Sequence, residues 1–297
     1  MGEWIVIASE RLTAAINPFG AELSSLKDAA GRELMTDADP AFWTGRAPLL
    51  FPVVGAPAGE VIHVGGREYP LKKHGFARHS LFTVDDVRPD RATFTLTDST
   101  TTRVAYPFAF RLDVTFTLDA ATLNIDVTIA NPGTASLPAS FGFHPAFAWP
   151  LPYGVARADH RIVFDRDEPG ALKTIAADGT IGATTRPTPV VDHVLPLTDD
   201  LFADDALVFD PVHSAAVTYG PATGPQLKVA FPDTPQLGIW TKPGAAYVCI
   251  EPWHGLADPE GYTGEFRDKP GVFLVPPGGE KRIGMSVTLV EAGAVRA

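Results

Sequence analysis

One cysteine, Cys249, is present in 297 residues, so no disulfide can form within the chain. A lone thiol fits a reducing compartment, and the expectation is a cytoplasmic protein. No stretch approaches the roughly 18 apolar residues that cross a bilayer. Met1-Gly2-Glu3-Trp4 also lacks the basic and apolar regions of a secretory signal, so no membrane partner is expected. Basic runs are missing as well. The formal net charge is −11, and an acidic surface repels phosphate backbones, which argues against nucleic acid as a partner. Helical periodicity is scarce, and 28 prolines with 27 glycines leave long helices little room. There is no Gly-x-Gly-x-x-Gly, no Gly-Lys-Ser/Thr phosphate loop, no Gly-x-Ser-x-Gly elbow and no HExxH. A single cysteine cannot build a thiolate zinc site. Neither a cofactor nor a metal is expected.

What the chain does contain is many short strands punctuated by turns. Arg111–Leu118 and Leu123–Ile129 alternate strictly between apolar and polar across Asp119-Ala120-Ala121-Thr122. Such alternation marks antiparallel strands with one face buried and one wet. Trp4–Ile7, Leu12–Ile16, Ala206–Phe209, Ala215–Tyr219, Leu227–Phe231 and Arg282–Val290 also read as short strands. Val61–Val64 and Arg67–Tyr69 flank Gly65-Gly66, a two-residue hairpin signal. The better helix candidates are short, Asp39–Trp43 and Thr198–Phe202. No linker or composition break divides the chain. The pattern predicts an all-β fold, a large antiparallel β-sandwich, with residues 1–297 as a single domain.

Four segments place ionisable groups among aromatics and glycines, the setting of a ligand site. In Lys73-His74-Gly75-Phe76-Ala77-Arg78 a histidine and an arginine are four apart and could converge on an oxygen-rich ligand; a solvated basic loop is the plainer alternative. Phe141-Gly142-Phe143-His144-Pro145-Ala146-Phe147 wedges a histidine between apolar residues, with proline restraining the backbone. Asp204 and Asp205 precede an apolar strand, where aspartate is also ordinary turn chemistry. Glu251, in Tyr247–Asp258, ends an apolar run, where a carboxylate is costly unless paired or functional, and Trp253 supplies a flat face on which a sugar could stack. Histidine and glutamate make a workable acid and base. A glutamate near about 4.3 is ionised at neutral pH, and a carboxylate pushes a neighbouring histidine toward its protonated form.

Taken together and in this order, the segments around His74, His144 and Glu251 resemble the aldose 1-epimerase (galactose mutarotase) superfamily, most closely its LacX-like branch. The resemblance runs from about Trp4 to Val290, and Leu49–Gly55 is typical of that branch. It implies a supersandwich fold and a cofactor-independent enzyme that interconverts the α and β anomers of a free hexose or related aldose. It implies that His144 protonates the ring oxygen and that Glu251 takes the proton of the anomeric hydroxyl. His74 would hydrogen-bond the sugar, and Asp205, or its neighbour Asp204, would bind substrate. Arg78 is similar to an arginine of the hexose-6-phosphate mutarotase branch, which keeps a phosphorylated sugar in view. The asparagine-arginine motif that galactose mutarotases carry ahead of the first histidine is absent, and Arg46 lies in roughly that region. A non-catalytic sugar-binding protein is one alternative. A glycoside hydrolase or lyase is another, and it would need paired carboxylates about 5–9 Å apart, such as Glu251 with Asp205. The sequence carries no signal of oligomeric state.

Overall fold

The computed structural model describes residues 3–291. Its central hairpin follows from the alternation just noted. Arg111–Asp119 and Thr122–Ala130 pair antiparallel across a two-residue turn, setting Leu118 opposite Leu123, Phe116 opposite Ile125 and Val114 opposite Val127. These side chains all face inward and are buried. A one-residue slip would turn the whole set to water, which pins the register.

The hairpin belongs to the first of two large sheets. The first has nine strands, in the order Val194–Pro196, His160–Phe164, Ala216–Pro221, Gln226–Ala230, Glu280–Val290, Thr122–Ala130, Arg111–Asp119, Arg91–Thr97 and Thr83–Arg88. The second runs Ile181–Arg186, Leu172–Ile175, Leu207–Phe209, Gln236–Trp240, Tyr247–His254, Phe141–Phe143 and Leu49–Leu50, with Ala146–Ala148 also paired to Tyr247–His254. Every strand pairing in both sheets is antiparallel. A smaller three-stranded sheet holds Ile5–Ala8, Leu12–Asn17 and Glu22–Asp28. One hydrophobic cluster, reaching from Ile7 to Leu289, joins the inner faces of the two large sheets. The all-β antiparallel architecture expected from the alternation is therefore observed.

Three local readings differ. Asp39–Trp43 forms a single turn rather than a helix: Asp39 accepts from Phe42 N and Trp43 N, and Gly45 then packs against the Trp43 ring. Thr198–Phe202 contracts to a 3-10 turn at Asp199–Phe202. An α-helix at Thr100–Ala105 was not anticipated. Ser99 Oγ accepts from Thr102 N, and Thr102 Oγ1 accepts from Ser99 N, a capping box with threonine in the place usually held by glutamate or glutamine. No helix among the described residues is long and apolar enough to cross a membrane.

Candidate active site

The strand Tyr247–His254 is buried on both sides, which is why its sequence is apolar rather than alternating. Val248 and Ile250 face the main core. Tyr247, Cys249, Glu251 and Trp253 share the opposite face, since side chains alternate along a strand. Glu251 and Trp253 there line a cavity of about 330 Å³. Glycines from the two flanking strands make room for the indole. Gly142 is in register with Trp253, and Gly238 with Glu251. A Cβ at Gly142 would stand 2.6 Å from Trp253 Cδ1, and one at Gly238 would stand 2.4 Å from Cη2. Both glycines are thus required by the flat seating of Trp253.

His144 reaches the same cavity through a break in the ladder. Phe141–Phe143 and Ala146–Ala148 both pair with Tyr247–His254, at Trp253–His254 and Tyr247–Cys249 respectively. Proline at 145 has no N–H to donate, and the interruption it creates falls opposite Ile250–Pro252. The histidine side chain is thereby presented to Glu251, with His144 Nε2 3.1 Å from Glu251 Oε2. Trp43 covers the imidazole from the other side, ring centroids 4.9 Å apart. His144 is 8% exposed and Glu251 2%.

This burial corrects the protonation expected from the sequence. Desolvation holds His144 down, to about 3, and the charges of Arg78 and Lys73 act in the same direction. Burial pushes Glu251 well above the usual carboxylate range; Asp205 adds to that, while the charge of Lys73 opposes it. The sequence reading weighed the mutual attraction of the two groups. In the dry floor of the cleft the loss of water outweighs it, and the neutral pair is favoured, with one proton on Glu251.

His74 sits in a strained turn. Its φ is +67° and that of Gly75 is +69°, and a Cβ on Gly75 would stand 2.2 Å from Phe51 O. Only glycine fits there. His74 N donates to Gly55 O at 2.9 Å, and Gly55 N donates to His74 Nδ1 at 3.1 Å. Nδ1 is therefore an acceptor, and the ring proton of the neutral imidazole sits on Nε2, where it can be donated. Burial first, then the positive environment of His144, Lys73 and Arg78, lowers His74 well below the usual histidine value. The rings of His74 and His144 stand 5.9 Å apart, edge to face.

Asp205, with φ +72°, and Arg78 complete the predicted set that lines the cavity. Asp204 and Arg46 do not line it. Arg46 instead donates from Nη1 to Thr36 O at 2.7 Å and from Nη2 to Asp37 O at 3.2 Å, in the segment just ahead of the Asp39–Trp43 turn. Among the aromatic and charged lining residues, sequence reasoning missed Trp43, Trp240 and Lys73. Lys73 adjoins His74 within a segment already singled out, so its neighbour was the available signal. The two tryptophans lie in no motif. Lys73 and Arg78 enter neither of the ion pairs near the cleft, His144–Glu251 and Lys269–Asp258. Arg78 is half-buried, and that burial lowers its basicity, partly offset by Glu22.

The cleft wall is fastened by buried Asp258. Its carboxylate accepts from Ala58 N at 2.9 Å and lies 2.8 Å from Lys269 Nζ. Its backbone bonds to Ala56 O and from Ile181 N, so three wall segments meet at one residue.

Residues 3–265 match the family described as aldose 1-epimerase. The chain is 31% identical over 284 residues to the plasmid-encoded protein LacX of Lactococcus lactis subsp. lactis, covering 92% of this chain and 95% of that protein. A galactose mutarotase related enzyme from Lactobacillus acidophilus superposes with a TM-score of 0.89 at 30% identity, over 99% of this chain and 100% of that one. A galactose mutarotase-like protein from Lactobacillus casei gives 0.90 at 29% identity, over 97% and 100%.

Proposed function

The chain belongs to the aldose 1-epimerase family, and we propose that it interconverts the α and β anomers of an aldohexose or related aldose, with Glu251 as base and His144 as acid. The observation that carries this reading is the 3.1 Å contact of His144 Nε2 with Glu251 Oε2 at the floor of a tryptophan-lined cleft. Glu251 carboxylate takes the proton of the anomeric hydroxyl. The C1–O1 bond becomes a carbonyl as the bond from C1 to the ring oxygen breaks, and His144 imidazolium protonates that oxygen. Rotation about C1–C2 and the reverse transfers close the ring on the other face. The pair carries one proton throughout, so no proton need enter or leave the site. Burial favours the neutral pair present when the ring is open; the charge of Lys73 favours the Glu251 carboxylate that starts the reaction and opposes the His144 imidazolium beside it. His74 Nε2–H and the Asp205 carboxylate serve as donor and acceptor for sugar hydroxyls, and Trp253 is a stacking floor. The chemistry requires no cofactor. Polarimetry or NMR of freshly dissolved α-glucose and α-galactose tests the proposal. A rate equal to that of buffer across a broad sugar panel would overturn it, and saturable calorimetric binding without anomer exchange would instead favour a binding protein.

A second reading, a sugar carrying a 6-phosphate, is favoured by two cations of the cleft, Lys73 and Arg78, that form no ion pair with a carboxylate among the described residues. An arginine fork can hold phosphate bidentately. Comparison of glucose with glucose 6-phosphate decides it. Preference for the phosphate ester that disappears in Arg78→Gln supports this reading; equal or lower rates with the ester discard it.

A further inference from the structure

Cys249 is buried, and acid–base chemistry at Glu251 makes no use of it. Two residues from Glu251 on one strand, it points to the same side of the sheet. His144 approaches from the adjoining ladder break. One donor atom from each of His144, Cys249 and Glu251 lies within 4.8 Å of the other two, and all three residues are buried. His144 Nδ1 is buried without a hydrogen-bond partner among the described residues.

We propose that the floor of the cleft binds a thiophilic divalent cation of the zinc type, held by His144, Cys249 and Glu251, and that the bound ion blocks the acid–base pair. Nitrogen, thiolate sulfur and carboxylate oxygen are the donors that zinc takes, and three protein ligands with a fourth, open position form a stable zinc arrangement. Magnesium and calcium demand six or more oxygens, which this floor does not offer. Tetrahedral zinc bonds of about 2.0–2.3 Å place ligand atoms about 3.5 Å apart. The 3.1 Å between His144 and Glu251 must open by a few tenths of an ångström, and the sulfur, within 4.8 Å of both, must settle at the same spacing. On binding, the Cys249 thiol proton and any proton on Glu251 pass to the buffer. Zn–S, Zn–N and Zn–O bonds form, and no oxidation state changes. The ion then occupies the lone pairs that Glu251 and His144 use. Binding stands on the geometry alone; inhibition rests on the proposed function.

The test is zinc chloride titration of the intact chain by calorimetry, with cobalt(II) as a spectroscopic stand-in. One zinc per chain is expected, together with a thiolate-to-cobalt charge-transfer band in the near ultraviolet. Cys249→Ala should abolish the band, weaken zinc binding at least about 10-fold and relieve zinc inhibition while leaving turnover in place. Cys249→Ser, nearly isosteric, provides the same comparison if the alanine variant does not fold. Zinc affinity unchanged by both substitutions, or cobalt binding without the sulfur band, would overturn the site. These two readouts need no turnover, so they stand even if no sugar is epimerised. Zinc that binds through Cys249 yet leaves turnover intact would overturn the inhibition alone.

Discussion

The six-membered ring of Trp253 lies directly against Gly238, so closely that a Cβ on the glycine would stand 2.4 Å from Cζ2 and Cη2. The strand residue beside Glu251 is therefore glycine for the sake of the indole. Gly238→Ala should lift the ring into the space proposed for the sugar. Over-packing of this kind costs about 1–3 kcal/mol of stability. Displacement by about 1 Å can cost about 100-fold in rate, so kcat/KM should fall much further than stability. Polarimetry beside a thermal melt measures both. A variant as active as wild type would show that Trp253 does not seat the substrate.

Glu251→Gln and His144→Asn should each lower kcat by about 10²- to 10⁴-fold, the range of general acid–base catalysis. Neither should unfold the protein, because each removes an ionisable group from a dry environment. Circular dichroism confirms the fold, and NMR exchange between anomers gives the rate. Turnover near wild type in either variant refutes the role assigned to that residue.

His74→Asn keeps a side chain that tolerates positive φ and an oxygen to accept from Gly55 N, but loses the Nε2–H donor. One hydrogen bond to substrate is worth about 0.5–1.5 kcal/mol, so KM should rise about 2- to 12-fold with the fold intact. Gly75→Ala, in contrast, should destabilise the chain severely, since its Cβ would stand 2.2 Å from Phe51 O. Urea denaturation distinguishes the two outcomes.

Lys269→Met leaves Asp258 buried beside no cation and should cost about 3–5 kcal/mol. Adding Asp258→Asn removes the stranded charge, and the double variant should recover a large part of that loss. Denaturant midpoints of the two proteins measure it. A double variant no more stable than the single would show that the pair is not what fastens the wall.

Much of this architecture was legible in the chain because period-2 alternation reports burial directly. Arg111–Leu118 and Leu123–Ile129 show both their strands and their turn. Gly142, His144, Pro145 and Glu251 were conspicuous because each breaks the local logic of an apolar strand. The helix at Thr100–Ala105 was hidden by its threonine capping box. Trp43 and Trp240 were invisible as site residues, since nothing in their neighbours marks them and only the chain's return path brings them to His144.

The sequence by itself determined an antiparallel β architecture, the absence of a disulfide within the chain and the identity of a candidate acid and base, because these depend on residue type and local period. The tertiary structure alone decided that Gly238 lies beneath Trp253, that Asp205 rather than Asp204 lines the cleft, and that Arg46 binds the backbone at Thr36 and Asp37. It also showed the direction in which burial pushes the central pair, each group toward its neutral form. A carboxylate and an imidazole read in sequence are assigned their aqueous affinities for protons, and only their shared burial shows how far the loss of water moves them.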